Sequence, residues 1–148
     1  MLYTGLRVGD VLALRRDELA RCFWITEQKT GKRRKVGLSD QLIAQIVSRA
    51  GASPWAFPSP IDANKPRTRQ AVWADIKRAQ RALRLRGNFG THSMRKDYAV
   101  DLMRKYGDLD RVRRALNHSN PTVTMLYAMA DQLVETYPER AKPFRRKR

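Results

Sequence analysis

This sequence is poor in the side chains that bind metals or form disulfides. Among its 148 residues there are one cysteine and two histidines. A single cysteine excludes an internal disulfide and a zinc knuckle, and two histidines are too few for a histidine-based metal centre. We therefore expect a reduced, intracellular, metal-free protein. Cys22 stands in the apolar stretch CFWI and is predicted to be a small core residue.

Acidic residues and long apolar runs are scarce as well. Lys and Arg number 31 against 14 Asp and Glu, which makes a formal net charge of +17. Such an excess attracts polyanions, and cations that displace the counterions of a phosphate backbone favour nucleic acid as the partner. A protein that is merely basic is the alternative. An anionic membrane surface is disfavoured because we find neither a long apolar run nor a signal-peptide pattern.

The apolar residues that are present, 42% of the total, are enough for one domain over residues 1–148. CFWIT, KTGK and RRKVGLS predict an antiparallel β-hairpin, and residues 51–66 a proline-rich loop. Helical spacing and capping residues predict helices over about 8–19, 40–51, 68–83, 92–106, 108–116 and a last segment from Asn120–Pro121. The expected fold class is mainly α with a small antiparallel β-hairpin (α+β), ending in a basic, flexible tail at 138–148.

Six polar residues stand at the ends of these elements: Arg7 in TGLRVGD, Lys29 in KTGK, His92 and Arg95 in THSMRK, and His118 and Tyr127 on either side of Asn120–Pro121. Each has a plain structural interpretation. The cations could be solvated, the histidines could be hydrogen-bonded structural residues, and the tyrosine could be packed in the core. Together they supply the guanidiniums, ammonium, imidazoles and phenol that phosphoryl transfer requires. Spacing alone does not show that they converge.

In chain order, these motifs make the sequence resemble the catalytic domain of the tyrosine recombinase, or phage integrase, family. The resemblance covers about residues 2–128. The family's arginine motif matches Thr4–Asp10, and its hairpin lysine falls on Lys29. Its H-x-x-R motif begins at His92, and its L-G-H-S-S motif matches Leu116–Asn120.

The resemblance implies a chemistry for the six residues. Tyr127 would attack a phosphate of double-stranded DNA, leaving a 3′-phosphotyrosine and a free 5′-hydroxyl that a later attack rejoins. Arg7 and Arg95 would bind the nonbridging oxygens of that phosphate. Because one phosphodiester replaces another, no metal, ATP or other cofactor is implied.

The resemblance assigns Lys29, His92 and His118 to proton transfer and phosphate binding. Lys29 would be the general acid that protonates the departing oxygen, and Lys32 is the second candidate for that role. His92 would assist proton transfer near the nucleophile. His118 would donate a hydrogen bond to the phosphate.

Basic residues near the helix at 68–83, together with Lys32 beside the hairpin turn, are expected to contact the DNA backbone, fixing position more than sequence. This predicted DNA-binding set is Lys32, Arg67, Arg69, Lys77, Arg78, Arg81 and Arg84. A plain solvated helix face is the alternative. By resemblance, the protein would associate with itself as a tetramer on DNA and act in the cytoplasm, encoded by a bacterium or a phage.

Two departures from the family pattern leave alternatives open. Asn117 stands where the family usually has glycine, and the family's catalytic domain usually has a further helix before the arginine motif. We therefore expect an N-terminally short catalytic domain, either a fragment or a naturally short form. A module that binds DNA or a recombinase partner without cleaving is the second hypothesis, and a topoisomerase-like relaxing activity is a third.

Overall fold

In a computed structural model, the described residues are 1–85, 87 and 89–117. Along them the chain forms a short helix, a β-hairpin and four further helices. The elements are α1 (Val8–Leu12), β1 (Cys22–Thr26), β2 (Arg33–Gly37), α2 (Asp40–Ala50), α3 (Arg69–Ala82), α4 (Thr91–Tyr106) and α5 (Leu109–Leu116). The predicted fold class is confirmed. The expected helix from Asn120–Pro121 and the tail at 138–148 lie outside the described residues.

The hairpin forms where the alternating β-formers and the glycine turn predicted it. β1 and β2 pair antiparallel, with Cys22 opposite Gly37 and Thr26 opposite Arg33. Because side chains alternate along a strand, Phe23 and Ile25 face inwards while Cys22 and its alternate neighbours face solvent. The prediction that Cys22 is a core residue was wrong, since the thiol is exposed.

The first helix is shorter than predicted. It was expected to reach residue 19, but α1 ends at Leu12. Beyond it the chain becomes extended, because Ala56 donates its backbone N–H to the Leu14 carbonyl and Arg15 forms a bridge with Trp55. These contacts with a distant loop replace the hydrogen bonds that would have continued the helix.

Side chains and a glycine mark the other helix ends. Ser39, Thr68 and Asp108 each accept a backbone N–H in the first turn of α2, α3 and α5. Gly107 ends α4 in the left-handed conformation. α4 and α5 then pack together through what we call the apolar cluster, Ala99, Val112 and Leu116.

The helix α3 is less covered than its apolar residues indicated. Within it, Trp73 is 56% exposed, and Leu83 at its C-terminal end is 63% exposed. The amine of Lys77 lies 5.8 Å from the centre of the Trp73 ring. Over the described ranges every helix is too short or too polar to cross a bilayer.

Candidate active site

Arg7 lies at the N-cap of α1 and contacts a buried carboxylate. Its guanidinium Nη1 is 2.5 Å from Oε2 of Glu27, the residue that follows β1. The side chain of Glu27 is fully buried, whereas that of Arg7 stays 24% exposed. The contact with Glu27 therefore fixes the position of the Arg7 guanidinium, while the Arg7 side chain keeps part of its surface exposed to solvent.

Arg95, on the second turn of α4, is buried beside the same segment. Its Nη1 donates to the Gly5 carbonyl at 2.6 Å and its Nη2 to the Leu116 carbonyl at 2.5 Å. Burial and then the positive charge of Arg7 lower the pKa of Arg95 from its ordinary value to about 10, while Glu27 and Asp10 act in the opposite direction. The predicted arginines therefore lie within electrostatic reach of each other, and Arg95 remains charged at neutral pH.

Two further charged residues complete what we call the polar cluster, Arg7, Asp10, Glu27 and Arg34. Arg34 on β2 lies 3.5 Å from Glu27 Oε1 and donates to the Thr4 carbonyl at 2.6 Å. Asp10 on α1 is buried and accepts the backbone N–H of Gln28 at 2.9 Å. The cluster joins the TGLR segment to both strands of the hairpin.

Glu27 is ionised despite its burial. Burial raises its pKa, but hydrogen bonds from Thr30 and Arg7 and the charges of Arg7 and Arg34 outweigh it, so the pKa lies below the usual 4.5. A buried carboxylate is tolerated when cations and hydrogen bonds surround it. The positive charges of Arg7 and Arg34 therefore stabilise the Glu27 carboxylate, and the carboxylate in turn stabilises the two guanidiniums.

The residues predicted to transfer protons, Lys29, Lys32 and His92, are exposed. Lys29 and Lys32 lie in the turn between β1 and β2, where Gly31 has a φ of +66° and Gly31 N–H donates to the Glu27 carbonyl. His92 lies in the first turn of α4, three residues before Arg95. The predicted His118 and Tyr127 lie outside the described residues.

The predicted DNA-binding cations around α3 fall into different environments. Arg67 pairs with Asp75, and Arg78 Nη2 lies 3.5 Å from the same carboxylate. Arg69 reaches away from α3 to the hairpin, with Nη2 3.5 Å from Gln28 Oε1. Lys77, Arg81 and Arg84 line one open cleft.

Glu27 and Arg34 are site residues that were missed from the sequence. A signal for them existed, because alternation along β1 places Glu27 on the same inward face as Phe23 and Ile25, and alternation along β2 places Arg34 with Val36. Opposite charges on the inward face of a hairpin predict a buried ion pair. Among the described residues there is no group of three or more metal-ligating side chains.

The chain belongs to the phage integrase family, whose sequence profile matches residues 1–133. It is 29% identical to the probable integrase/recombinase YoeC of Bacillus subtilis over 134 residues, which cover 87% of this chain and 73% of that protein. It is 26% identical to the tyrosine recombinase XerC of Bradyrhizobium diazoefficiens over 93% of this chain and 46% of the relative. The chain thus spans only about half the length of XerC.

Solved structures share the fold. The crystal structure of XerA recombinase superposes with a TM-score of 0.75 at 18% identity, over 97% of this chain and 55% of that one. The Tn1549 transposon integrase in complex with a circular intermediate DNA gives 0.74 at 17% identity, over 85% of this chain and 51% of that one.

Proposed function

We propose that this chain is the catalytic domain of a site-specific DNA recombinase that cuts and rejoins double-stranded DNA through a 3′-phosphotyrosine. The observation that carries the proposal is the proximity of Arg7 and Arg95, which lie far apart in the chain, to each other and to the turn that bears Lys29. Arg95 donates to Gly5, two residues before Arg7, and Glu27 links Arg7 to the turn. Membership of the family supports this assignment.

In the proposed reaction, the phenol oxygen of Tyr127 attacks phosphorus and the bond between phosphorus and the 5′-oxygen breaks. Arg7 and Arg95 neutralise charge on the nonbridging oxygens as it builds up in the transition state. Lys29, or Lys32 in its place, gives its proton to the departing 5′-oxygen. His92 assists removal of the phenol proton of Tyr127, and His118 donates a hydrogen bond to the phosphate.

The DNA would lie across the cations near α3 and the hairpin. Lys77, Arg81 and Arg84, which share a cleft, and Arg69, which reaches the hairpin, are the phosphate contacts we favour. Arg67 and Arg78 would exchange Asp75 for phosphate when DNA binds. Two neighbours, the XerH recombinase and the Tn1549 integrase, were solved with DNA. Self-association as a tetramer on DNA and a cytoplasmic location belong to the same proposal.

The test is the covalent intermediate. A library of nicked duplexes with a randomised core, on which rejoining is prevented, is incubated with the full chain, and DNA that stays bound in denaturant is recovered and sequenced. We expect an enriched sequence and a DNA–peptide link on Tyr127, identified by mass spectrometry. Tyr127→Phe should abolish the adduct, whereas the control Tyr3→Phe, at an exposed tyrosine, should not change its yield.

The non-cleaving alternative makes an opposite prediction. If wild type bound duplex DNA in a salt-dependent manner but gave no adduct from any library member, the chain would be a binding module and the catalytic proposal would be refuted. An adduct that persisted in Tyr127→Phe would refute the nucleophile assignment.

A further inference from the structure

Glu27 occupies the junction between β1 and the turn that carries Lys29. Its side chain is completely buried, and its Oε2 accepts hydrogen bonds from Arg7 Nη1 at 2.5 Å and from the Thr30 hydroxyl at 2.9 Å. One carboxylate oxygen therefore contacts both the proposed phosphate-binding arginine and the proposed general-acid turn.

The backbone of Glu27 closes the same turn. Its N–H donates to the Lys32 carbonyl at 3.0 Å, and its carbonyl accepts the Gly31 N–H at 2.8 Å. The next residue, Gln28, donates its backbone N–H to the buried Asp10 at 2.9 Å. The turn is thus held on one side by its own backbone and on the other by carboxylates.

This arrangement goes beyond a simple ion pair. If Glu27 only formed a salt bridge with Arg7, its hydrogen bond from Thr30 would be unnecessary. If it only anchored the turn, its contact with Arg7 would be unnecessary. Since both share Oε2, a movement of the carboxylate displaces the guanidinium and the turn together.

Resting on the proposed function, we infer that Glu27 is a positioning residue that holds the Arg7 guanidinium and the Lys29 turn in a fixed relation at the scissile phosphate. Arg7 touches the nonbridging oxygens, and Lys29 reaches the departing 5′-oxygen. Glu27 touches neither oxygen, and it acts through its contacts with Arg7 and with Thr30 of the turn.

The inference is tested with the full chain and three forms of the duplex recovered above. The first is ordinary DNA. The second has sulfur in place of the bridging 5′-oxygen; because a thiol has a pKa of about 8.5, its thiolate departs without a proton from Lys29. The third has a neutral methylphosphonate at the scissile position, which lessens the need for charge neutralisation by Arg7.

We expect Glu27→Gln to slow adduct formation on ordinary DNA by at least about tenfold, a part of what a general acid contributes. The loss should shrink on the sulfur substrate and also on the methylphosphonate. The matched control is Glu18→Gln, an exposed carboxylate bonded to the Arg15 N–H, which should match wild type on all three.

Thr30→Val tests the connection of Glu27 to the turn separately from its connection to Arg7. It also provides the test if Glu27→Gln does not fold. It removes the hydroxyl between the turn and Glu27 but leaves the Arg7 contact, so its loss should be relieved by the sulfur substrate alone. An undiminished rate in Glu27→Gln, an equal loss on all three substrates, or relief on only one of them would overturn the inference. A wild type without any adduct would refute the proposed function itself.

Discussion

The polar cluster and the apolar cluster lie side by side but are built on opposite principles. The apolar cluster joins neighbouring helices α4 and α5 with side chains that are at most 2% exposed. The polar cluster joins α1, the hairpin and the TGLR segment through a buried carboxylate and its arginines. Apolar burial stabilises the fold directly, whereas a buried ion pair recovers little more than the desolvation energy that it costs. The buried charges of the polar cluster therefore indicate a functional role more than a stabilising one.

Arg95 connects the two clusters. It stands on α4 close to Ala99, and it donates to the carbonyls of Gly5 and Leu116. Its lowered pKa of about 10 shows that the surroundings disfavour its charge. The packing of α4 against α5 therefore keeps the Arg95 guanidinium near Arg7, although burial disfavours its charge.

The largest expected effect is the loss of the apolar cluster. Leu116→Ala removes a side chain with 0% exposure, and it should lower the free energy of unfolding by about 2–5 kcal/mol. Urea unfolding followed by circular dichroism measures this. Leu83→Ala, at a side chain that is 63% exposed, should change stability by less than about 0.5 kcal/mol. Equal losses in both variants would show that the apolar cluster does not dominate stability.

A comparable loss of stability is expected for a substitution at Gly5, where the two clusters meet. Its φ is +61°, and an added Cβ would overlap the Tyr98 ring and lie 3.2 Å from Leu116 Cδ2. Gly107 has a φ of +62°, with nothing within 4 Å of an added Cβ. Gly107→Ala should cost about 1–2 kcal/mol from backbone strain, and Gly5→Ala about 1–3 kcal/mol more from overpacking. Urea unfolding compares them, and similar costs would contradict the contact.

The smallest expected effect is on how the free energy of unfolding changes with pH, and it arises from the polar cluster alone. Because Thr30 and Arg7 outweigh the burial of Glu27, its pKa in the folded state lies below 4.5. Its ionised form then contributes stability above that ordinary value, and the contribution is lost as the pH falls through the lowered pKa.

Urea unfolding from neutral to acid pH tests this prediction. Glu27→Gln should flatten the acid limb of the stability profile, while Leu116→Ala should lower the whole profile and keep its shape. An unchanged acid limb in Glu27→Gln would contradict the lowered pKa.

Local patterns predicted the elements that depend on neighbours in sequence. The hairpin follows from alternating β-formers around Gly31, and α2, α3 and α5 begin one residue after capping side chains. The patterns failed where distant segments compete. α1 ends early because the strand-like segment after it pairs with the loop near Trp55, and Cys22 is exposed because strand parity outweighs its apolar neighbours.

By itself, the sequence determined which reactive groups are present and in what order, because motifs such as TGLR and H-x-x-R are local, and it determined the cationic excess that favours DNA. Only the tertiary structure decided that Arg95 would be buried against Gly5 and that one oxygen of Glu27 would contact both Arg7 and the Lys29 turn. The reason is physical. Those contacts depend on how α1, the hairpin and α4 dock, and docking energy comes from surfaces far apart in the chain.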